Sequence, residues 1–408
     1  MVEIFLACAI FTGLIMALAL IVLVARAVLR EKGTARLTVN GERVIMADLG
    51  EKLLAALDNG GVHLPTSCGR AGTCGLCRVQ VSSTGPGDTV WPTERASLSE
   101  IEIANGFRLA CQTVVRGDLD LKVSPELLVA KSWQCTVKET RSLAPLIKEI
   151  ILDLPEGEHV EFPAGCYVLL KVPAFTLSFS DIDIGSEYEV DWQRMGLRQL
   201  SVRNGSEERR AYSLVNRRGN TDRLVLNIRL ALPPSANPDA PPGVVSSYLF
   251  GLCVRDTVQV SGPYGNFFVQ NTDCEMIFIG GGVGMAPLYA HVYDQLERVK
   301  TTRTISFWYG ARGLADLYYT DEMQKLANGH ANFSWHVVLS DPPSGEAWAG
   351  ERGFVHEAVY DRYLCSHSSP QDCEYYLCGP PLMIEAVHTV LEKLGVSRAK
   401  IFFDDFGD

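Results

Sequence analysis

Three cysteines fall within ten positions of this chain, in Cys68-Gly-Arg-Ala-Gly-Thr-Cys74-Gly-Leu-Cys77, and a fourth, Cys111, stands in a later segment. Three thiols on one loop and one from afar restrict the local fold more than any hydrophobic pattern does. Four cysteines complete the coordination of an iron-sulfur cluster. Gly69, Gly72 and Gly75 take side chains away where the backbone must curl around such a group, leaving N–H groups to bond sulfide and thiolate. Zinc is the competing metal. Its structural sites usually show two paired Cys-x-x-Cys or Cys/His arms, whereas this pattern has one, so ligation of a cluster by Cys68, Cys74, Cys77 and Cys111 is the favoured reading.

The remaining composition narrows the setting. Twelve cysteines in 408 residues is not the density of a disulfide scaffold, and their crowding points to metal ligation in a reducing compartment. Others, such as Cys135 and Cys253, are expected as small buried hydrophobes. A net charge of -11 argues against nucleic acid or anionic headgroups as partners, since both are held by clustered Lys and Arg. Ile4 to Ala25 is an uncharged apolar run of 22 residues, and a helix needs roughly 20 to cross a bilayer. A signal peptide would carry positive charge before that run, whereas Glu3 precedes it and Arg26, Arg30 and Lys32 follow, so a retained span is expected. Positive residues stay on the cytoplasmic side, which places everything after Arg26 there. Cys8, inside the run, is read as an apolar filler.

Three patterns follow the anchor. Arg36 to Val39, the turn Asn40-Gly41 and Arg43 to Met46 predict a hairpin, and Leu53, Leu54 and Leu57 mark a helix over Gly50 to Asn59. With strands near Arg78 to Val81 and Asp118 to Val123, the first module is α+β. From Trp133 the strands Gln134 to Glu139, Glu149 to Leu154, Tyr167 to Val172, Ala211 to Val215, Leu224 to Leu230 and Thr257 to Val260 favour an antiparallel barrel. Pro173 to about Glu208 interrupts that rhythm and reads as an insertion, because a structureless loop so long inside a barrel is unusual, and such loops more often serve a partner or a site. From Met276 onward, strands Met276 to Ile279, Thr304 to Tyr309, Phe333 to Leu339, Tyr375 to Leu377 and Ile401 to Phe403 alternate with helical stretches, the mark of a parallel sheet.

The cysteine spacing, with five residues in the first gap, resembles [2Fe-2S] ferredoxins of the adrenodoxin-like kind. Arg210-Ala211-Tyr212-Ser213 resembles the Arg-x-Tyr-Ser motif of the ferredoxin reductase flavoprotein family. An arginine fork suits the FAD pyrophosphate, the tyrosine ring can pack on the flavin, and the serine hydroxyl can reach N5; a plain barrel strand is the alternative for these four residues. Gly243, Ser246 and Ser247 sit at an expected helix start, which in that family holds the FAD diphosphate. Gly262-Pro263-Tyr264-Gly265 is expected to close the barrel. Gly281, Gly282 and Gly284 follow a strand and precede a helix, where backbone can approach a nicotinamide dinucleotide. Cys378, Gly379 and Pro380 resemble the family's motif beside the nicotinamide ring, and Phe406 matches the terminal aromatic that covers the isoalloxazine. Packing in the core is the alternative for Cys378 and for Phe406.

Taken with the N-terminal run, the stretch Ser180 to Tyr188 and the tail Asp404-Asp405-Phe406-Gly407, these motifs resemble the family of F subunits of sodium-translocating NADH:quinone oxidoreductases over essentially the whole chain. Leu214-Val215-Asn216-Arg217-Arg218 departs from it by being unusually basic. The resemblance implies a multidomain chain: a transmembrane anchor at 1–30, a β-grasp ferredoxin domain at 34–126, an antiparallel β-barrel FAD domain at 130–268 with the insertion at 173–208, and an α/β NADH domain at 272–408. It implies FAD, a [2Fe-2S] cluster and NADH as redox groups, with hydride taken by FAD and single electrons leaving through the cluster. Other membrane subunits of the complex are the implied partners and quinone the final acceptor, with sodium transport left to the whole assembly. The location implied is a bacterial inner membrane, with a single pass. A reductase component for an oxygenase, or an anchored ferredoxin without NADH activity of its own, is the alternative. NADH is expected over NADPH on the resemblance alone, although Arg312 after a strand can also receive a 2′-phosphate.

Overall fold

The computed structural model describes residues 11–18, 20, 33–66, 70–73, 75–82, 90–124, 131–217, 219–233, 237, 240–265, 267–342 and 348–405. Two compact units arise, the first within residues 1–64 and 70–124, the second within 65–69 and 125–408. Of the expected span, residues 11–18 and 20 are helical and exposed; the rest, with Cys8, lies outside the described residues. Among the described residues no helix is long and apolar enough to cross a membrane.

In the first unit, β1 (Thr34–Val39) and β2 (Arg43–Asp48) form the expected antiparallel hairpin. Asn40 and Gly41 both take positive φ, 52° and 75°, as a tight turn matching strand twist requires. Helix α1 (Leu53–Asn59) buries Leu53, Leu54 and Leu57. The sheet has five strands in the order β2-β1-β5-β3-β4, with β3 Arg78–Val81, β4 Phe107–Leu109 and β5 Leu119–Lys122; β5 runs parallel to β1 and antiparallel to β3. Two short helices were not expected. One is α2 (Pro92–Ser97), with a proline in its first turn; the other is α3 (Glu100–Ala104), where Ser99 and Glu102 cap reciprocally.

The second unit carries two six-stranded sheets. The first is antiparallel in the order β11-β8-β13-β6-β7-β12, built from β6 (Lys131–Ala144), β7 (Ile147–Asp153), β8 (Tyr167–Val172), β11 (Glu208–Ser213), β12 (Arg223–Arg229) and β13 (Thr257–Tyr264). Its end strands meet at the Leu214–Leu226 bridge, which curls the sheet round a core of Val137, Ile150, Leu152, Val168, Leu170, Leu226 and Ile228. The segment read as an insertion has structure of its own. It folds into a hairpin of β9 (Phe175–Ser178) and β10 (Ser201–Asn204) plus helix α4 (Glu189–Arg194). Phe179, Ile182, Trp192 and Val202 join the barrel core. Lys148 of β7, 2% exposed, fixes the insertion by donating to the carbonyls of Asp183 and of Phe250, each at 2.6 Å. The final barrel-side helix is α5 (Val244–Phe250). Cys135 is buried as expected, but Cys253 is exposed, in a turn whose N–H is bonded by Asp256.

The second sheet is wholly parallel, ordered β17-β16-β15-β14-β18-β19. Its strands are β14 (Met276–Gly281), β15 (Ile305–Ala311), β16 (Phe333–Leu339), β17 (Glu351–Arg352), β18 (Glu374–Gly379) and β19 (Ile401–Asp405). Helices α6 (Met285–Tyr293), α7 (Thr320–Gly329), α8 (Val355–Arg362) and α9 (Pro381–Lys393) connect them. Every residue of β14 and of β18 is buried, as befits central strands covered on both faces.

Candidate active site

The strand order reverses between β14 and β18, and open parallel sheets bind ligands in the crevice at such a switch point. The expected nicotinamide residues all gather there. At Gly284 an added Cβ would fall against the Cys378 carbonyl and 2.7 Å from the Gly379 nitrogen; at Gly281 it would meet the Met383 sulfur at 2.7 Å. Gly379, with φ +154°, faces the backbone of Gly281 at 3.0 Å in the same sense. The two turns thus pack backbone on backbone, leaving a cradle that side chains would fill. Pro380 caps α9 at its edge.

Ser213 ends β11, the barrel strand of the Arg-x-Tyr-Ser motif, and its hydroxyl donates to the Asp404 carboxylate at 2.9 Å. Asp404 lies in β19 opposite Cys378 of β18. Ser213, Cys378 and the nicotinamide turns therefore occupy one place, and Asp404 is a contact there to which sequence reasoning gave no part. Only the acidic pair ending an apolar strand signalled it. Phe406 lies outside the described residues.

Along β11, the Arg210 guanidinium meets the Glu208 carboxylate at 3.3 Å and its own strand at the Arg209 carbonyl, 2.7 Å away. Burial drives the Tyr212 phenol above its ordinary range. At the start of α5, Ser246 donates to the Gly243 carbonyl at 3.0 Å and accepts the Ala231 N–H at 3.1 Å; its hydroxyl proton is committed to holding the helix start. The hydroxyl of Ser247, fully buried, has no hydrogen-bond partner among the described residues. An orphaned donor of this kind is costly, and with no exposed surface it is closed to a ligand in this conformation. Arg217 crosses from the barrel to α6, donating to the Tyr289 hydroxyl and lying over the Tyr289 and Tyr293 rings.

In the first unit, Cys77 and Cys111 are buried in adjacent segments, joined where the Ala110 N–H donates to the Cys77 carbonyl at 2.9 Å. Gly72 and Gly75 take φ of 85° and 66°. The loop's carbonyls are held from outside. Ser97 donates to Gly72 at 3.0 Å, Arg78 to Gly75 at 2.9 Å and Gln112 to Arg70 at 3.0 Å, while Gln112 also reaches the Cys111 sulfur at 3.4 Å. With carbonyls turned outward, the loop fits the cluster its spacing implies. Cys68 and Cys74 lie outside the described residues.

A second gathering, Glu275, His367 and Cys373, sits at the opposite end of β14 and β18. The Ser369 N–H donates to His367 Nδ1 at 3.2 Å, so Nε2 is the protonated nitrogen facing Glu275 at 3.2 Å. Burial pushes the Cys373 thiol up to about 12. The trio is a hydrogen-bonded cluster rather than an open ligand set.

Known proteins agree with this division. Residues 37–116 match the 2Fe-2S iron-sulfur cluster binding domain family, 196–269 the oxidoreductase FAD-binding domain family and 278–389 the oxidoreductase NAD-binding domain family. The chain is similar to the F subunit of the Na(+)-translocating NADH-quinone reductase of Marinomonas sp. strain MWYL1, at 44% identity over 99% of both chains. The protein of that name from Methylococcus capsulatus is 42% identical over 100% of both. Among solved structures, the cytochrome P450 reductase GcoB of Amycolatopsis has a TM-score of 0.64 at 28% identity, covering 92% of this chain and 99% of its own. The ferredoxin reductase of carbazole 1,9a-dioxygenase, at 22% identity and a TM-score of 0.58 over 92% of this chain and 98% of its own, shares the fold.

Proposed function

The chain belongs to the family of F subunits of Na(+)-translocating NADH-quinone reductases, and we propose that it is the port by which electrons from NADH enter such a complex. Its redox groups are FAD, a [2Fe-2S] cluster and NADH. When bound, FAD accepts two electrons as hydride and releases them singly, the count a [2Fe-2S] cluster takes.

The chain's own residues bind and orient. Gly281, Gly282, Gly284, Gly379 and Pro380 let backbone approach NADH at the switch point, and the buried Cys378 fills the floor beside the nicotinamide without covalent chemistry. Arg210 exchanges its Glu208 contact for the FAD pyrophosphate, Tyr212 packs on the flavin, and Gly243, Ser246 and Ser247 shape the diphosphate seat. Ser213, its proton held by Asp404, presents a lone pair to the flavin edge. By the family resemblance, Phe406, outside the described residues, is the aromatic that would cover the isoalloxazine. Cys68, Cys74, Cys77 and Cys111 ligate the cluster.

The helical residues 11–18 support a membrane anchor over 1–30, in a bacterial inner membrane, with the folded domains 34–126, 130–268 and 272–408 on the cytoplasmic side. Other subunits of the complex are its partners and quinone the final acceptor. One apolar helix without an intramembrane charge offers no ion path, so sodium transport belongs to the assembly.

The observation that carries this reading is the hydrogen bond from Ser213 to Asp404 beside Cys378, which joins the flavin motif to the nicotinamide turns. Anaerobic titration of the full chain with NADH, followed by absorbance, tests it. Flavin bleaching followed by bleaching of the cluster is expected; an unchanged flavin spectrum would overturn it.

A further inference from the structure

We propose that Tyr309 and Tyr318 are positioning residues for NADH, fixing the glycine turn after β14 in the conformation that receives the dinucleotide. This rests on the reading that NADH binds at that turn. The two phenols converge on one atom: Tyr309 donates to the Gly282 carbonyl at 3.0 Å and Tyr318 to the same carbonyl at 3.1 Å. The Met285 N–H, closing the single turn Gly282–Gly284, reaches the same oxygen, so the phenols add two side-chain tethers to a carbonyl that also carries a helical bond.

The consequence lies in the peptide plane. Gly282 has φ +55°, a conformation glycine adopts readily and can also leave. In a trans peptide the C=O and the following N–H point in opposite directions. Tethering the Gly282 oxygen to the buried tyrosine side therefore aims the Val283 N–H the other way. A Cβ at Gly282 would meet nothing within 4 Å, so the turn has open space at this residue.

The tether is itself rigid. Tyr309 is fully buried and Tyr318 is 5% exposed, their rings meeting edge to face at 6.2 Å. The next residue, Tyr319, has φ 56° and packs on Tyr318 and Tyr289. Its hydroxyl shares a proton between the Glu149 carboxylate of β7 and the Asn227 oxygen of β12, 3.1 Å away. The segment carrying Tyr318 is thus pinned to the flavin barrel, and the NADH turn takes its register from that barrel. Burial drives both Tyr309 and Tyr318 above the ordinary phenol range, so they remain donors wherever the protein is folded.

The test compares Tyr309→Phe, Tyr318→Phe and the double variant of the full holoprotein. The double variant should raise the KM for NADH and the inhibition constant for NAD+ by about tenfold, the cost of losing two hydrogen bonds from a buried carbonyl that keeps only the Met285 N–H. Its kcat should change less than twofold, because binding is lost equally in ground and transition states. FAD content and reduction by dithionite should match the unmodified protein. Single variants, with one phenol left, should shift KM by about threefold, and they decide the matter if the double variant loses FAD. Tyr375→Phe is the structural control, since Tyr375 donates to Pro370 at 2.8 Å, away from the turn. Unchanged KM and inhibition constants, or the same change in the Tyr375→Phe protein, would overturn the proposal. Gly282→Asp separates the two claims, since its side chain enters open space at a left-handed φ that aspartate tolerates and its charge opposes a phosphate. If that variant keeps its FAD and is still reduced normally by NADH, the assignment of NADH to the turn fails; if it is not reduced and the tyrosine variants bind NADH normally, only the proposal fails.

Discussion

Ser213 closes the last step of the flavin motif, and its hydroxyl donates to Asp404, a residue 191 positions further along the chain, at 2.9 Å. One hydrogen bond therefore fixes how the end of a barrel strand faces the edge of a parallel sheet. The carboxylate decides which way the serine proton points.

Asp404→Leu removes the acceptor outright, and the Ser213 hydroxyl will turn. Misplacing a group at the reacting centre costs about tenfold to hundredfold in rate. Stopped-flow bleaching of the flavin by NADH should slow by that factor with FAD content unchanged; an unaltered rate would remove Asp404 from the site.

Cys77→Ala should abolish the [2Fe-2S] spectrum, since four thiolates complete the coordination. Oxidation of NADH with an artificial acceptor that draws directly on reduced flavin should persist, while quinone reduction in the reconstituted complex should cease. Normal quinone reduction by this variant would show that electrons leave from the flavin and not through the cluster.

Lys148 gives a pH signature. Its burial, opposed by Asp183 and Cys253 and aided by Arg198, brings the folded-state pKa down to about 8 from 10.5. Between those values the unfolded chain holds the proton and the folded chain does not, so stability from this group rises with pH through the window. Below pH 8 both states hold the proton and the contribution is constant. Urea unfolding should show the unmodified protein gaining on Lys148→Met by on the order of 3 kcal/mol between pH 8 and 10.5. A difference independent of pH would contradict the assignment.

Deleting residues 1–30 should yield a water-soluble protein that NADH still reduces but that no longer couples to membrane partners, because an apolar run of that length is the feature suited to spanning. Partition of the shortened protein with membranes after a salt wash would count against the anchor.

Local chemistry was legible in the sequence wherever it is settled by neighbours along the chain. Asn40-Gly41 marked a hairpin turn and takes two positive φ values there, Leu53, Leu54 and Leu57 marked the buried face of α1, and the glycines after Ile279 marked the turn at the switch point. Tyr167 to Val172 is a strand with those limits. The internal structure of the insertion was not legible, because Phe179, Ile182, Trp192 and Val202 follow no regular period and find their partners only in the barrel core. Cys253 was misjudged as buried since its place is decided by a turn and not by its polarity. Asp404, Tyr309 and Tyr318 owe their roles to atoms far away in sequence, and nothing nearby distinguishes those tyrosines from ordinary core aromatics.

The two glycines of the nicotinamide turn answer to different selection. Gly284 has ordinary helical φ, -61°, and is held to glycine by the neighbouring Cys378 carbonyl; Gly282 has open space around it and is held by its φ of +55° alone. A library scored for protein abundance should reject any side chain at 284, even where no ligand is ever bound, so intolerance there reports packing. At 282 the same library should accept asparagine and aspartate ahead of valine or isoleucine, because their short polar chains ease left-handed backbone. Substitution tolerance at one position of this motif therefore measures volume and at the other torsion, and only a screen for nucleotide binding speaks to the ligand.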